Sequence, residues 1–396
     1  MSIGNNIFYI GVNDNMTDLF ESQYPIKTGV TYNSYLIRDE KIAVFDTVGT
    51  EFAEEWYKNM DAALDGRKPD YLIVQHMEPD HSASIDDFAS KYPETTIVAS
   101  GLAFTMMNQF FGKDYADRRL VVSEGDTLSL GAHELSFVAA PMVHWPEVMM
   151  TYEKTEKILF SADGFGRFGA PCKDGCKADS PEYEDEPWAD EARRYYIGIV
   201  GKYGVQVQAV LKKAAALEIS TICPLHGPVL TKDLGNYIDL YQKWSTYTPE
   251  EDGITIAFSS VYGHTKEAVK LLIKEIQSAS PDTSIACFDL ARCDVAEAVA
   301  SAFRFDRLVL ATTTYNMDIF PCMKDFIHHL QTSNFQKRKL ALMENGSWAP
   351  KAAGVMKALL EKSPNLSFCE TTISIKSAMN EANKEQIAVL AKELAG

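Results

Sequence analysis

The sequence has no run of about eighteen consecutive apolar residues, so a membrane-spanning helix is not expected. Its first residues, MSIGNNIFYIGVND, lack a basic start followed by an apolar stretch, and no secretory signal is predicted. Cysteine is sparse. Seven residues are scattered without framework spacing, which predicts a reducing cytoplasm rather than a disulfide scaffold. Cys172 and Cys176 form a C-x3-C spacing in PCKDGCKADS, which leaves a metal or redox role open, but no second pair follows, and the favoured reading is an ordinary loop. Basic residues are also short. Lys and Arg total 38 against 55 Asp and Glu, a net charge of −17, which argues against a nucleic-acid partner. There are no internal repeats and no low-complexity tracts.

What is present suits a soluble protein of two domains. At 396 residues the chain is too long for one ordinary core, while 46% apolar and 23% charged residues are usual globular values. The first half alternates short apolar runs with polar turns. SYLI and IAVFDTV read as a hairpin, EFAEEWYKNMDAAL (51–64) has helical spacing, and YLIVQ, TIVAS, ELSFVAA, KILFSA and ISTICP read as strands. One long helical stretch is expected from about Asp190 to Leu217. STYTPEEDG, with Pro249 and Gly253, reads as a linker. Beyond it strands and helices alternate strictly: ITIAFSS, residues 265–278, RLVLATTT, CMKDFIHHL, RKLALMEN, KAAGVMKALLEK. That order predicts a parallel sheet covered on both faces. The expected domains are 1–248 and 253–396.

The stretch VQHMEPDHSAS places His76, Glu78, Asp80 and His81 within six residues. His76 follows YLIVQ, His144 follows LSFVAAPMV, Asp163 follows ILFSA, and His226 follows ISTICPL. Each stands just past a strand-like run, and such loops gather at one rim of a sheet. Together they offer four imidazoles and three carboxylates. With Asp163 shared, two metal ions would each receive four protein ligands and keep an open position for chemistry. Three carboxylates also offset most of the charge of two divalent cations. Imidazole mixed with carboxylate suits iron as well as zinc. His133, His264, His328 and His329 read as ordinary residues with respect to metal.

In the second half, AFSSVYGHTKEAV (257–269) sets a hydroxyl-rich loop between a strand and a helix. Ser259, Ser260, Val261, Tyr262, Gly263, His264 and Thr265 are the candidate phosphate cradle, built from backbone N–H groups and hydroxyls. The loop has neither G-K-[ST] nor G-x-G-x-x-G, which disfavours a nucleoside triphosphate and a dinucleotide. TTTYNMDIFP (312–321) adds Thr312, Thr313, Thr314, Tyr315 and Asn316. ENGSWAP (344–350) adds Asn345, Gly346, Ser347 and Trp348, with aromatic faces for a flavin ring. Three loops after three parallel strands suit FMN.

These motifs carry a family resemblance. HMEPDH resembles the H-x-[EH]-x-D-H signature of the metallo-β-lactamase fold, with Glu78 where di-zinc hydrolases usually have His. That replacement resembles the flavodiiron proteins, or A-type flavoproteins. MVHWPEVM, CPLHGPV and SADGFGRFGA are similar to their ligand segments, and the 257–269 loop looks like the flavodoxin phosphate site. The resemblance spans nearly the whole chain. It implies an αββα metallo-β-lactamase-like sandwich followed by a doubly wound, flavodoxin-like FMN domain. It further implies two irons on His76, Glu78, Asp80, His81, His144, Asp163 and His226. The implied activity is reduction of dioxygen to water, of nitric oxide to nitrous oxide, or both. No C-x2-C pairs follow the flavodoxin part, so a separate donor such as rubredoxin is implied, as is a head-to-tail homodimer or dimer of dimers. Tyr195 and Tyr196 are candidates for a pocket hydroxyl. The chain departs from the family at LFESQYP, where Glu21 or Ser22 stands near the place of a histidine. The alternative reading is a di-zinc hydrolase fused to a flavodoxin-like electron-transfer domain.

Overall fold

A computed structural model describes residues 1–172, 175–180, 183 and 188–395. The chain parts into two compact units, Met1–Gln242 and Lys243–Gly396. No described helix is long and apolar enough to cross a membrane.

The first unit is a sandwich of two sheets. One has seven strands in the order Ser2–Gly4, Ile7–Tyr9, Tyr35–Arg38, Ile42–Phe45, Tyr71–Val74, Thr96–Ala99 and Arg119–Val121. The other has five: Thr127–Ser129, Glu134–Ala139, Met149–Glu153, Ile158–Phe160 and Thr221–Cys223. The SYLI/IAVF hairpin forms as its alternation predicts, with Tyr35 opposite Phe45. Inward side chains of both sheets make one core. Phe45 and Ile73 of the first sheet meet Phe137 and Phe160 of the second, and the Phe45 and Phe160 rings stack at 4.2 Å. The helix Ala53–Leu64 buries Trp56, whose Nε1 donates to Ser34 Oγ at 3.0 Å.

Register brings the rim together. Phe45 is level with Ile73 and Val74 with Ala99 in parallel strands, so the loops after them emerge on one edge. In the second sheet Phe160 is level with Cys223, again in parallel, and Ala139 faces Met149 across the turn that carries His144.

The single helix expected from Asp190 to Leu217 is instead a series. Helix Trp188–Tyr195 passes into a π turn at Tyr196–Val200, a 3-10 turn at Gly201–Tyr203, and helix Gly204–Ala214. Glycines at 198, 201 and 204 loosen the helical ladder. Gly198 also admits Tyr24, whose ring would lie 2.8 Å from a Cβ there and whose hydroxyl donates to Gly198 O at 3.0 Å.

Cys172 and Cys176 are joined as a disulfide, with a Cα–Cα distance of 6.0 Å, which corrects the reading of this segment as a plain loop. The neighbouring backbone explains the approach. Gly169 and Ala170 donate to Gly29 and Thr28, and Cys176 O accepts from Val229 N, so both arms of the turn are pinned. The other five cysteines are free.

The second unit is built on parallel strands in the order Ile285–Asp289, Glu251–Phe258, Phe305–Tyr315, Lys339–Asn345, then Ser367–Phe368 and Ile373–Ile375. In chain order this is 2-1-3-4-5, the flavodoxin-like arrangement. Its core joins Ile256, Val309 and Ala341 to Leu272 and Ile387 of the covering helices His264–Ala279 and Glu381–Ala395. The strand Glu251–Phe258 starts inside the segment read as linker, because Glu251 pairs beside Phe305.

Truncating Phe160 to Ala should lower the stability of the first unit by about 3–5 kcal/mol, since it removes a ring packed between both sheets. A fall in the urea unfolding midpoint with an unchanged slope would show it.

Candidate metal and flavin sites

The rim of the first unit gathers all seven residues singled out by their spacing. Around one centre stand His76, Glu78, His144 and Asp163; around a second stand Asp80, His81 and His226. His76 Nε2 lies 3.3 Å from Glu78 Oε2 and 3.2 Å from Asp163 Oδ2. His144 Nε2 lies 3.1 Å from each of those same oxygens. In the second group His81 Nε2 and His226 Nε2 are 3.1 Å apart and lie 3.3 Å and 3.4 Å from Asp80 Oδ2. The other Asp163 oxygen, Oδ1, faces them at 3.5 Å and 3.7 Å. One carboxylate therefore addresses both groups, one oxygen each.

The donor set fits a pair of cations. Both oxygens of Asp80 and of Asp163 are buried without a hydrogen bond. Unpaired buried carboxylate oxygens are costly unless a cation or proton meets them. The members of the cluster shift one another unevenly. Burial pulls His76 down, yet the Asp163, Glu147 and Glu78 carboxylates together outweigh it and hold the imidazole well above its usual range. His144 is likewise lifted to about 9, against burial, by the Asp163 and Glu78 carboxylates beside it. Burial drives His81 well down, helped by His226. Asp80 is pushed well up by burial and by Glu78 and Asp163. For Asp163, burial acts upward, but His76 and His144 hold it well below the usual carboxylate range. Like residues shifted in opposite directions mark one shared charge problem, which two divalent ions would solve.

Backbone and outer partners aim the imidazoles. His226 Nδ1 donates to Thr31 O at 2.7 Å, leaving Nε2 toward the site. Gly227 after it has φ +82°, and a Cβ there would lie 2.5 Å from Arg167 Cγ on the Asp163 loop. His76 Nδ1 meets Glu147 Oε1 at 2.9 Å, and Met77 N donates to that oxygen at 2.8 Å. Asp46 Oδ1 accepts from Gln75 N at 2.7 Å and His76 N at 3.2 Å, and burial raises its pKa to about 7 despite these bonds. Glu147 and Asp46 escaped the sequence reading. Their available signals were local: an acid three residues after His144, and an acid closing the strand IAVF.

Of the two tyrosines, Tyr195 faces the site. Its ring is 5.5 Å from that of His226, and its hydroxyl is buried without a hydrogen bond. Burial, then the Asp163 and Glu78 charges, keep that hydroxyl protonated. Tyr196 turns instead to Tyr241, at 5.0 Å. Glu21 stands against Glu78, and burial followed by that neighbouring charge raises it to about 7. Ser22 is exposed.

In the second unit the three loops emerge side by side, since Phe258 is level with Ala311 and Ala311 with Met343. Ser259 and Thr312 share a hydrogen bond of 2.6 Å that ties two loops together. Ser260 Oγ accepts from Gly263 N at 3.1 Å and Lys266 N at 3.3 Å, holding the turn before the helix His264–Ala279. The hydroxyls of Thr265, in the first turn of that helix, and of Thr313, near the end of the strand Phe305–Tyr315, are buried without partners. Val261, Tyr262, Tyr315 and Trp348 are exposed, with Trp348 at 88%. Orphan hydroxyls at a helix start suit a phosphate, and exposed aromatics suit a planar ring. Other candidates are engaged elsewhere. Thr314 Oγ1 accepts from Lys351 N and Ala352 N, Asn345 bonds Ser377, Ser347 Oγ accepts from Ser377 Oγ, and His264 pairs with Glu267. Gly346 N donates to Ile375 O, while Asn316 sits at φ +49° in the turn.

The sequence matches a family model described as ODP family beta lactamase over residues 30–227. It is 28% identical over 379 residues to the anaerobic nitric oxide reductase flavorubredoxin of Salmonella paratyphi A, covering 95% of this chain and 77% of that protein. The flavodiiron protein from Giardia intestinalis superposes with a TM-score of 0.91 at 26% identity, covering 99% of this chain and 95% of that one. The rubredoxin oxygen:oxidoreductase of Desulfovibrio gigas shares the fold, with a TM-score of 0.91 at 24% identity over 100% of this chain and 97% of that one.

Replacing Glu147 with Gln should weaken metal retention about 10- to 100-fold, because His76 loses the charged partner that fixes its tautomer. Metal content after graded chelator dialysis, with an unchanged melting temperature of the metal-free protein, would show the effect.

Proposed function

The chain belongs to the flavodiiron proteins, through its ODP-type β-lactamase-like part, and from that premise we propose that it reduces dioxygen to water, nitric oxide to nitrous oxide, or both. The observation that carries this reading is the Asp163 carboxylate set between two groups of buried imidazole and carboxylate. We assign residues 1–248 to the diiron domain and 253–396 to the FMN domain. The iron ligands in this proposal are His76, Glu78, Asp80, His81, His144, Asp163 and His226, and the flavin lies over the 259–265, 312–316 and 345–348 loops.

When bound, two irons and one FMN supply open coordination positions and four electrons, the number that dioxygen needs to reach water. The chain's own side chains prepare the site. Thr31 and Glu147 hold the Nδ1 protons of His226 and His76, so both Nε2 lone pairs face inward. Glu78 in place of an imidazole adds negative charge, which favours iron redox chemistry over the di-zinc alternative. The Tyr195 hydroxyl holds a proton at Oη beside His226, and the rings of Phe20, Tyr32 and Tyr195 around that imidazole exclude water. Electrons come from a separate cytoplasmic donor of the rubredoxin type, and the proposal includes a head-to-tail homodimer or dimer of dimers.

The test is anaerobic reduction of protein assayed for iron and FMN, followed by parallel consumption of each gas. Iron and FMN in the ratio two to one, with electrons consumed per gas as the stoichiometry requires, is the expected result. Zinc in place of iron, with thioester or nuclease activity and no gas consumption, would overturn it. Asp163→Asn should cost metal at both positions together and abolish turnover, while FMN content stays at the parent level.

A further inference from the structure

An apolar cavity of the first unit lies behind the Asp163 loop. It encloses about 190 Å³, and its ten lining residues are all Leu, Ile, Ala or Phe. Its floor is buried: Leu159 and Ile222 come from the paired strands Ile158–Phe160 and Thr221–Cys223, and Phe165 comes from the Asp163 loop itself. Its rim is open to solvent at Ile238, which is 38% exposed. The rest of the wall includes Ala214 and Leu217, from the end of the helix Gly204–Ala214 and the turn after it.

We propose that this cavity is a binding station for small apolar gas molecules, from which dioxygen or nitric oxide is delivered toward the Asp163 loop. No lining side chain can hydrogen-bond a water, so water gains little there, and apolar hollows of about this size take up apolar guests such as xenon. Dioxygen and nitric oxide share that chemistry: small, uncharged and poorly hydrated. The hollow also has a physical connection inward. The Phe165 ring stacks on Tyr241 at 4.2 Å, and Phe165 N donates to Tyr241 Oη at 2.5 Å. Tyr241 packs on Tyr196 at 5.0 Å, and the adjoining Tyr195 ring lies 5.5 Å from that of His226. Phe165 and Tyr241 therefore back the Asp163 loop on its cavity side, with Phe165 two residues from Asp163.

The delivery role rests on the functional reading above; the binding role does not. The probe is xenon, applied to the full chain loaded with iron and FMN and read by diffraction under pressure or by xenon NMR. A xenon site bounded by Leu159, Phe165 and Ile222 is expected, and its absence overturns the proposal. Ala214→Trp should abolish that site and raise KM for dioxygen about fivefold with kcat within about twofold, the pattern of lost uniform binding. Leu217→Phe narrows the same hollow from its rim and should shift both readouts in the same direction, should Ala214→Trp fold poorly. Xenon lost with an unchanged KM would overturn delivery. A KM that rises for the protein electron donor rather than for the gas would mark a protein contact and overturn it as well. If the loaded parent consumes neither gas, the functional reading fails, while xenon occupancy still decides whether the cavity binds apolar gas.

Discussion

The first unit depends on one electrostatic constraint: three carboxylates and four imidazoles crowd the rim of a sandwich, most of them buried. Asp163 sits at its centre with both oxygens lacking a hydrogen bond. Desolvated carboxylates of this kind raise the energy of the fold unless positive charge meets them. The opposed shifts of Asp80 and Asp163, and of His76 and His81, express that constraint. Bound cations would relieve it and draw the loops together, so metal binding and local stability are linked.

The scaffold meets the constraint with backbone geometry more than with bulk. Parallel register brings the ends of Ile42–Phe45 and Tyr71–Val74 level, which sets Asp46 under the backbone of Gln75 and His76. Thr31 reaches across from another segment to His226 and Gly227. Gly227 then leaves space for Arg167, so the loops carrying His226 and Asp163 pack against each other. The second unit applies the same device in a simpler form. Level carboxyl ends of its parallel strands set three loops side by side, and Ser259 with Thr312 fastens two of them.

Around the polar centre the packing is aromatic. Phe20, Tyr32 and Tyr195 surround His226, Trp145 lies edge-on to His76 at 5.3 Å, and Phe165 with Tyr241 backs the Asp163 loop. Rings of this kind exclude water while offering few competing ligands, so the local dielectric stays low and every charge interaction at the centre is strengthened. The apolar cavity behind Phe165 continues the same lining to the surface.

Much of this was legible in the residues. HMEPDH, and histidines or an aspartate just after strand-like runs, named the seven side chains that share the rim, because strand ends are where loops converge. The alternation of apolar runs foretold the hairpin at Tyr35–Phe45 and the parallel sheet of the second unit. Other features depended on contacts between distant segments. Glu147 became a partner of His76 only when the turn after Ala139 folded over the strand end, and no periodicity encodes that approach. The helix after Trp188 broke at its glycines because Tyr24, remote in sequence, occupies the space beside Gly198. Cys172 met Cys176 because Thr28, Gly29 and Val229 hold both arms of their turn. Thr314 is tied to the helix start at Lys351 and Asn345 to Ser377, links that no local pattern announces. Sequence alone determined which chemical groups were available and at which strand ends they would stand, since local period and residue type decide that. Tertiary structure alone decided which of them meet, which are paired away and which stay unsatisfied, since those outcomes depend on distances between segments far apart in the chain.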